Sequence, residues 1–308
     1  MNKAAEPGTS RSAQTRFDRG FAYGLGAYAL WGVMPIYFKA ISHVSAVDIV
    51  AHRVLWSLPF LALIVTLARG WDRLRAVLAS RKTMLMLSAT ATLIAVNWLL
   101  FVYSVTSGHI LAASLGYYLN PLINVVLGRF VLKERLTRLQ WAAVTIAAAG
   151  TAVLALGAIG QLWISLTLGI TFALYGLLRK VVDADAVTGL SVETGMLFPL
   201  ALGWLVYRTI AGAAIFGTTG LDAGLLTLAG IATTGPLVLF TAAARRLAYS
   251  TLGMLQFVAP TLQFLLAVFF YGEHFTLTHA IAFAAIWLAL MLYVAVLVKR
   301  PRLPTPPE

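Results

Sequence analysis

Two stretches of the chain, LGYYLNPLINVVLGRFVLKER (residues 115–135) and LQFVAPTLQFLLAVFFYGEH (residues 255–274), follow the same plan. Each places a proline inside a long apolar run and a glutamate thirteen residues later: Pro121 precedes Glu134, and Pro260 precedes Glu273. Proline bends a helix and frees a backbone carbonyl, which a membrane helix tolerates where neighbouring helices supply partners. The same arrangement of proline and glutamate recurs after 139 residues, which predicts that the chain consists of two related halves.

The composition is that of a membrane protein. Of the 308 residues, 60% are hydrophobic and 11% are charged, whereas soluble domains carry about 25% charged residues. No charge falls in the 46 residues between Lys82 and Arg129 or in the 40 between Arg138 and Arg179. Each interval is long enough for two helices of about 20 residues joined by a turn. The sequence therefore predicts an all-α, polytopic membrane protein.

Apolar runs, punctuated by Gly, Pro and charge, predict ten transmembrane helices. Their predicted ranges are 20–39, 46–68, 83–103, 110–131, 138–157, 161–181, 189–209, 222–243, 249–271 and 277–298. The polar segment 1–19 is predicted to be a disordered cytoplasmic tail, and residues 299–308 a second cytoplasmic tail. Both termini are predicted to be cytoplasmic because twenty Lys and Arg residues fall on their side of the membrane and two on the other. That distribution explains the net charge of +12 by topology, so no nucleic-acid partner is expected.

A shift of 139 residues aligns further landmarks of the two halves. Asn97 falls on Pro236, Phe101 on Phe240 and Thr137 on Thr276. The predicted repeats are residues 20–157 and 161–298, with five helices each. Because five is an odd number, the second repeat must insert upside down relative to the first. Inverted repeats are the architecture of carriers that expose a midplane site alternately to each side.

Pro121 and Pro260 have two interpretations, as simple helix curvature or as a symmetric pair of hinges for gating. The sequence favours hinges for this pair. Glu134 and Glu273 lie beside basic residues or helix ends, so they are interpreted as structural anchors rather than as substrate ligands.

Arg53 is the most informative ionisable residue, since a buried charge is costly unless it faces protein or water. It follows Ser45 by eight residues, which places it about 12 Å along the predicted second helix. One interpretation is a structural pair with Asp48 or a side chain that reaches back to the outer interface. The other is a cavity site for an anionic or zwitterionic substrate group.

Other polar and aromatic residues inside the predicted spans are candidates for a substrate cavity. With Arg53, the candidates are Lys39, His52, Trp56, Asn97, Trp98, Tyr117, Tyr118, Asn120, Tyr175, Glu193, Phe240, Gln256, Phe257 and Gln263. Each has a plainer alternative: interfacial anchoring for Lys39, interhelical hydrogen bonds for the amides and helix packing for the aromatic residues. For Glu193, an ion pair with Arg179 or Lys180 is favoured over a role as a proton-coupling carboxylate.

No signature of an enzyme active site is present. The sequence lacks H-E-x-x-H, G-x-S-x-G and a P-loop, and its membrane-embedded acids are scattered over different helices. No cysteine occurs, which excludes disulfides and thiolate metal sites. We expect neither a catalytic site nor a cofactor nor a metal, although a membrane-embedded transferase is kept as a remote alternative.

The chain resembles the RarD family, the chloramphenicol-sensitivity branch of the EamA-type transporters within the drug/metabolite transporter superfamily. The family's AHR-x-x-WS motif matches Ala51, His52, Arg53, Trp56 and Ser57, and its LGYYLNP motif matches residues 115–121. The resemblance extends from about residue 22 to residue 298. It implies two five-helix EamA repeats, a bacterial inner-membrane location and a cavity lined mainly by the first four helices of each half.

The expected function is secondary transport, in the export direction, of small organic metabolites or drug-like molecules by alternating access through a central cavity. A passive channel and a lipid-carrier flippase are the alternatives. The expected partners are the lipid bilayer and a small-molecule substrate, anionic or zwitterionic, and the sequence is compatible with a homodimer.

Overall fold

The computed structural model describes residues 7–106, 110–155, 160, 162–213, 216–270 and 277–299. Throughout these ranges the regular secondary structure is helical. The first half contains α1 (Pro7–Ala40), α2 (Ala46–Leu67), α3 (Trp71–Ala79), α4 (Arg81–Thr106), α5 (Ile110–Phe130) and α6 (Arg138–Ala155). The second half contains α7 (Leu162–Val181), α8 (Ala186–Ile210), α9 (Gly220–Ala244), α10 (Tyr249–Gln256), α11 (Val258–Leu265), a π-helical segment (Leu266–Phe270) and α12 (Leu277–Lys299).

Ten membrane spans account for these helices, apart from the short α3. In the described ranges, nine segments meet both the length and the hydropathy expected of a span, with α10, α11 and the π-helical segment together forming one of them. The tenth is α5, whose 21 residues hold one charge, Arg129 near the end. At 1.5 Å per residue, α5 has about the length that the hydrocarbon core requires. The prediction of ten transmembrane helices is confirmed.

Helix α1 begins at Pro7, before the predicted span 20–39, and its apolar part runs from Phe17 to Ala40. Proline is favoured in the first turn of a helix, and no glycine or proline follows Gly8 until Gly20. The rings of Phe17 and Phe21 then contact each other, with centroids 6.2 Å apart, and pack against the largest apolar cluster among the described residues. Residues 7–19 are therefore helical rather than disordered, whereas residues 1–6 and 300–308 lie outside the described ranges.

The contacts between spans follow a two-fold pattern. Three pairs of corresponding helices contact each other: α2 with α8, α5 with α10, and α6 with α12. The remaining major contacts occur as matched pairs. The contact between α1 and α9 corresponds to the contact between α7 and α4. The contact between α5 and α7 corresponds to that between α11 and α1, and the contact between α2 and α9 corresponds to that between α8 and α4. This is the packing expected of two similar five-helix repeats in opposite orientations.

The two symmetric prolines differ in their local effect. Helix α5 continues through Pro121. The ninth span instead breaks at Phe257, between α10 and α11. Pro260 lacks an N–H and its ring crowds the carbonyl four residues earlier, so the helix is interrupted one turn before it. Whether either proline acts as a hinge stays a prediction.

We call the end of the bundle near residues 69–82, 129–138 and 179–186 the basic end, and the end near residues 40–46 and 210–220 the opposite end. At the basic end, long cations satisfy carbonyls where helices stop. The Lys180 Nζ donates to the carbonyls of Ala244 (2.8 Å) and Leu247 (2.5 Å). Arg245 donates to the carbonyls of Val182 (2.8 Å) and Ala184. Cations at helix C-termini also match the helix dipole, so these residues are structural.

Candidate functional site

A cavity of about 220 Å³ lies between α2, α4, α8 and α9, with Tyr175 contributed by α7. The wall is largely apolar and includes Val50, Val54, Ile94, Leu197 and Leu237. Its polar groups come from Arg53, Ser57, Tyr175, Glu193, Thr194, Thr233 and Thr234. An apolar wall with a few convergent polar groups is typical of a binding site for a small organic molecule.

Arg53 reaches this cavity from α2 with its charge uncompensated. No ion pair of Arg53 is found in the described part of the chain, and its Nε has no hydrogen-bond partner there. The guanidinium lies over the ring of Trp98 on α4, in a cation–π contact. Three tyrosines, Tyr37, Tyr117 and Tyr175, are within electrostatic range of it. Aromatic faces and hydroxyls tolerate the cation but leave its charge free for a ligand.

The alternative pair of Arg53 with Asp48 is absent. Asp48 instead accepts hydrogen bonds from Arg208 Nη2 at 3.0 Å and from Trp204 Nε1 at 2.9 Å. Both donors lie on α8, so Asp48 ties the first repeat to the second at the opposite end of the bundle. His43 and Asp222 form a similar link, with Nε2 and Oδ1 2.8 Å apart.

Glu193 is the carboxylate of the cavity wall, and its side chain is 2% exposed. Its Oε1 lies 2.5 Å from Thr90 Oγ1 and 3.5 Å from Arg179 Nε, while Oε2 accepts from the Tyr175 hydroxyl at 3.3 Å. The predicted ion pair with Arg179 is therefore present. Thr90 lies on α4, so this cluster also connects the two repeats.

Arg179 is wholly buried between α7 and the beginning of α8. Its Nη2 donates to the carbonyls of Asp185 (3.2 Å) and Ala186 (3.1 Å). Space for the guanidinium exists because residue 189 is glycine: a Cβ there would lie 1.9 Å from Nη1. Sequence reasoning identified Arg179 as a partner of Glu193 but gave no sign of the role of Gly189.

Arg53 and Glu193 occupy equivalent positions in the two repeats. Ser45 caps α2 by accepting from the Asp48 N–H, and Asp185 caps α8 by accepting from the N–H groups of Val187 and Thr188. Arg53 and Glu193 each follow their capping residue by eight positions. The inverted repeat therefore carries a cation and an acid into one cavity from related helices.

Asp185, which caps α8 at the basic end, carries a stabilised negative charge. Burial raises the pKa of its carboxyl, but hydrogen bonds from Thr188 and Val187 and the nearby Arg73 outweigh burial and leave the pKa below its usual range. The carboxylate thus stays ionised at the start of α8, where the helix dipole favours a negative charge.

Glu134 forms a second link between the repeats, at the basic end. Its carboxylate accepts from the N–H groups of Tyr249 (2.5 Å) and Ser250 (3.0 Å) and from the Ser250 hydroxyl (2.7 Å). It therefore caps α10 from the first repeat, as a structural anchor. Glu273 lies outside the described residues.

Four of the fifteen predicted cavity residues line the cavity: Arg53, Trp98, Tyr175 and Glu193. The predicted amides serve as interhelical contacts instead. Asn97 donates to Leu168 O (2.8 Å) and Thr171 Oγ1 (2.9 Å), Asn120 to Gly169 O (2.8 Å), and Gln263 to Trp31 O (3.1 Å). Gln256 accepts at 3.1 Å from Asn124. Sequence reasoning missed Asn124, although its position four residues after Asn120 places both amides on one helix face.

The other predicted residues pack elsewhere because their rings or charges find nearer partners. Phe240 is buried among Tyr28, Trp31, Phe172 and Tyr175. Phe257 belongs to the core between α5, α6 and α12, and Tyr118 contacts Phe283 on α12. The ring of His52 stacks on Phe216 at 5.0 Å, and the ring of Trp56 lies tilted to Phe216 at 5.8 Å. Lys39 is exposed at the end of α1, and Tyr117 lies near Arg53 without lining the cavity.

Comparisons with known proteins agree with this architecture. The profile of the EamA-like transporter family matches residues 18–156. An uncharacterized transporter of Vibrio cholerae is 45% identical over 278 residues, which are 89% of this chain and 91% of that protein. The protein RarD of Escherichia coli is 43% identical over 289 residues, 91% of this chain and 95% of that protein. The chloramphenicol-sensitive protein RarD of Pseudomonas aeruginosa is 33% identical over 89% of this chain and 93% of its own length.

A solved crystal structure shares the fold at 17% sequence identity, with a TM-score of 0.70 over 92% of this chain and 100% of that one. The ten spans, the cavity between the repeats and the similarity to named transporters along nearly the whole chain lead to one assignment. This chain is a multi-pass membrane transporter that belongs to the RarD family of EamA-type transporters.

Proposed function

We propose that this protein is a secondary transporter that exports small organic anions by alternating access. The observation that carries the proposal is the uncompensated Arg53 in the wall of a largely apolar cavity. A guanidinium presents a planar set of five donors that fits carboxylate, sulfonate or phosphate oxygens. The apolar wall would hold the rest of the substrate, with Trp98 beside the anionic group.

The hydrogen bonds that link the two repeats at each end of the bundle support a mechanism in which one repeat moves against the other. At the opposite end, Asp48 links the repeats through Arg208 and Trp204. At the basic end, Glu134 holds the beginning of α10. In alternating access the repeats, residues 20–157 and 161–298, rock about the cavity, so that one set of links opens while the other stays closed. Transport of this kind needs no ATP.

The first test compares anions with neutral molecules of the same shape. We expect benzoate and benzenesulfonate to raise the melting temperature of the purified protein, and benzamide and benzenesulfonamide to leave it unchanged. A ligand at ten times its Kd adds about 1.4 kcal/mol to the free energy of unfolding. Equal stabilisation by the anions and by their amides would show that Arg53 does not select charge.

Transport by the bound anion is tested in proteoliposomes with labelled benzenesulfonate, a permanently charged probe that crosses lipid poorly. A carrier gives saturable uptake that is accelerated by unlabelled benzenesulfonate on the other side. Flux that rises linearly with concentration and shows no such acceleration would indicate a channel instead.

The inner-membrane topology is proposed with both termini in the cytoplasm, as the distribution of basic residues indicates. Reporter fusions at Lys82, at Arg138 and at the C-terminus are expected to report the cytoplasm, and fusions near Gly108 and Gly220 the outside. A C-terminal fusion that is active only outside the cytoplasm would contradict this orientation.

A further inference from the structure

The hydroxyl of Thr90 can serve the Glu193 carboxyl group both when it is ionised and when it is protonated. Thr90 Oγ1 lies 2.5 Å from Glu193 Oε1 and 2.9 Å from the carbonyl of Leu87. A hydroxyl has one proton, so Thr90 donates to one of these oxygens at a time. With Glu193 ionised, Thr90 donates to the carboxylate. With Glu193 protonated, the acid donates to Thr90 Oγ1, and the Thr90 hydroxyl turns to Leu87 O.

The neighbouring groups respond differently to the two protonation states. From α7, Tyr175 donates to Oε2 in either state. Arg179, also on α7, is held through Nη2 by two backbone carbonyls, and its Nε makes no hydrogen bond to the carboxylate. When Glu193 is neutral, Arg179 keeps its two backbone acceptors but loses its carboxylate partner at 3.5 Å, so the charge of Arg179 opposes proton uptake. From α4 the facing group is the uncharged Thr90, and from α2 the charged group of the shared cavity is Arg53.

Glu193 and Arg53 are coupled through the cavity they share. Tyr175 is within electrostatic range of Arg53 and hydrogen-bonds to Glu193. An anion on Arg53 adds negative charge to a low-dielectric cavity that already contains a carboxylate. Like charges disfavour each other's ionised forms, so an anion in the cavity favours proton uptake by the acid. The linkage is reciprocal: a proton on Glu193 tightens the binding of the anion by the same factor.

We propose that Glu193 is a proton-binding site that fills together with an anion at Arg53, so that the transporter carries an organic anion and a proton across the membrane together. This inference rests on the proposed function, the transport of anions through the cavity. Co-transport with one proton makes the passage of a monoanion electroneutral. Export would then respond to the gradients of the anion and the proton, and not to the membrane potential.

The test is calorimetric titration of the purified protein with benzenesulfonate in two buffers of different ionisation enthalpy, which counts the protons taken up. Benzenesulfonate does not titrate in this range, so any proton taken up is bound by the protein. We expect uptake approaching one proton per anion. The affinity for benzenesulfonate should then rise by up to about tenfold for each pH unit as the pH falls from about 8 to about 6.

Glu193→Gln mimics the protonated acid, so it should bind benzenesulfonate with no proton uptake and no pH dependence of affinity. Asp72→Asn is the control: this exposed carboxylate pairs with Arg75 on α3, away from the cavity, and the variant should take up protons as the wild type does. In the wild type, infrared difference spectra should show the C=O stretch of a protonated carboxylic acid when benzenesulfonate is added. The sulfonate itself has no C=O group, and this measurement does not depend on the folding of a variant.

The outcomes separate the two proposals. Binding by the wild type without proton uptake, or full uptake by Glu193→Gln, would overturn the proton site and leave anion transport standing. No binding by the wild type, or equal binding by Arg53→Gln, would overturn the anion site itself and the proton inference with it.

Discussion

Arg179→Leu is expected to lower the free energy of unfolding by about 3–5 kcal/mol, the cost of removing one partner of a buried ion pair. The side chain is wholly buried, so leucine removes the cation beside Glu193 and the donors of the Asp185 and Ala186 carbonyls. The loss should be smaller at low pH, because a protonated Glu193 no longer needs a cation. Chemical or thermal unfolding of the purified protein measures it.

The double variant Arg179→Leu/Glu193→Leu should recover part of the stability, because replacing both charges with apolar side chains leaves no buried charge. Arg75→Leu is the control, since Arg75 and Asp72 form an exposed pair that is expected to contribute little. A loss in Arg179→Leu no larger than that in Arg75→Leu would show that the buried pair does not support the fold.

Arg53→Lys is expected to lower benzenesulfonate transport at least tenfold while the protein stays folded. Hydrogen bonds to charged groups are worth about 1.5–3 kcal/mol, and a lysine ammonium cannot reproduce the planar set of five donors. The fold should tolerate the change because Arg53 forms no ion pair within the described ranges. Parallel transport assays and melting curves separate the two effects.

Arg208→Lys is the matched control for this experiment. It also replaces an arginine in a membrane span, but it can keep the ion pair with Asp48, and Arg208 does not line the cavity. Its transport should stay close to that of the wild type. Normal transport by a well-folded Arg53→Gln protein would end the assignment of Arg53 to the substrate site.

Much of the architecture follows from the sequence because membrane spans are specified locally. An apolar run of about 20 residues must satisfy its backbone as a helix wherever it inserts. This explains why α7, predicted as 161–181, is observed as Leu162–Val181. Helix α8 starts at Ala186 instead of 189 because Asp185 caps it, and α1 is longer because Phe17 and Phe21 find contacts in the core.

The candidate site was predictable only in part. A charge such as Arg53 stands out from the apolar sequence around it, so its importance could be inferred before any contact was known. An amide or an aromatic ring does not reveal its partner: Asn97 and Phe240 turn toward neighbouring helices rather than toward the cavity. Thr90 and Trp204 gave no signal, because threonine and tryptophan are common in membrane helices.

By itself, the sequence determined the ten spans, the repeat and the isolation of Arg53, since these depend on hydropathy, spacing and the position of charges along one chain. The tertiary structure decided which charges meet. Asp48 lies five residues from Arg53 in the same helix, yet it bonds to Arg208 and Trp204 on α8. Glu193 meets Thr90, which is 103 residues away in the other repeat. Contacts of this kind depend on how helices rotate and cross, and that geometry is fixed only once the helices are packed.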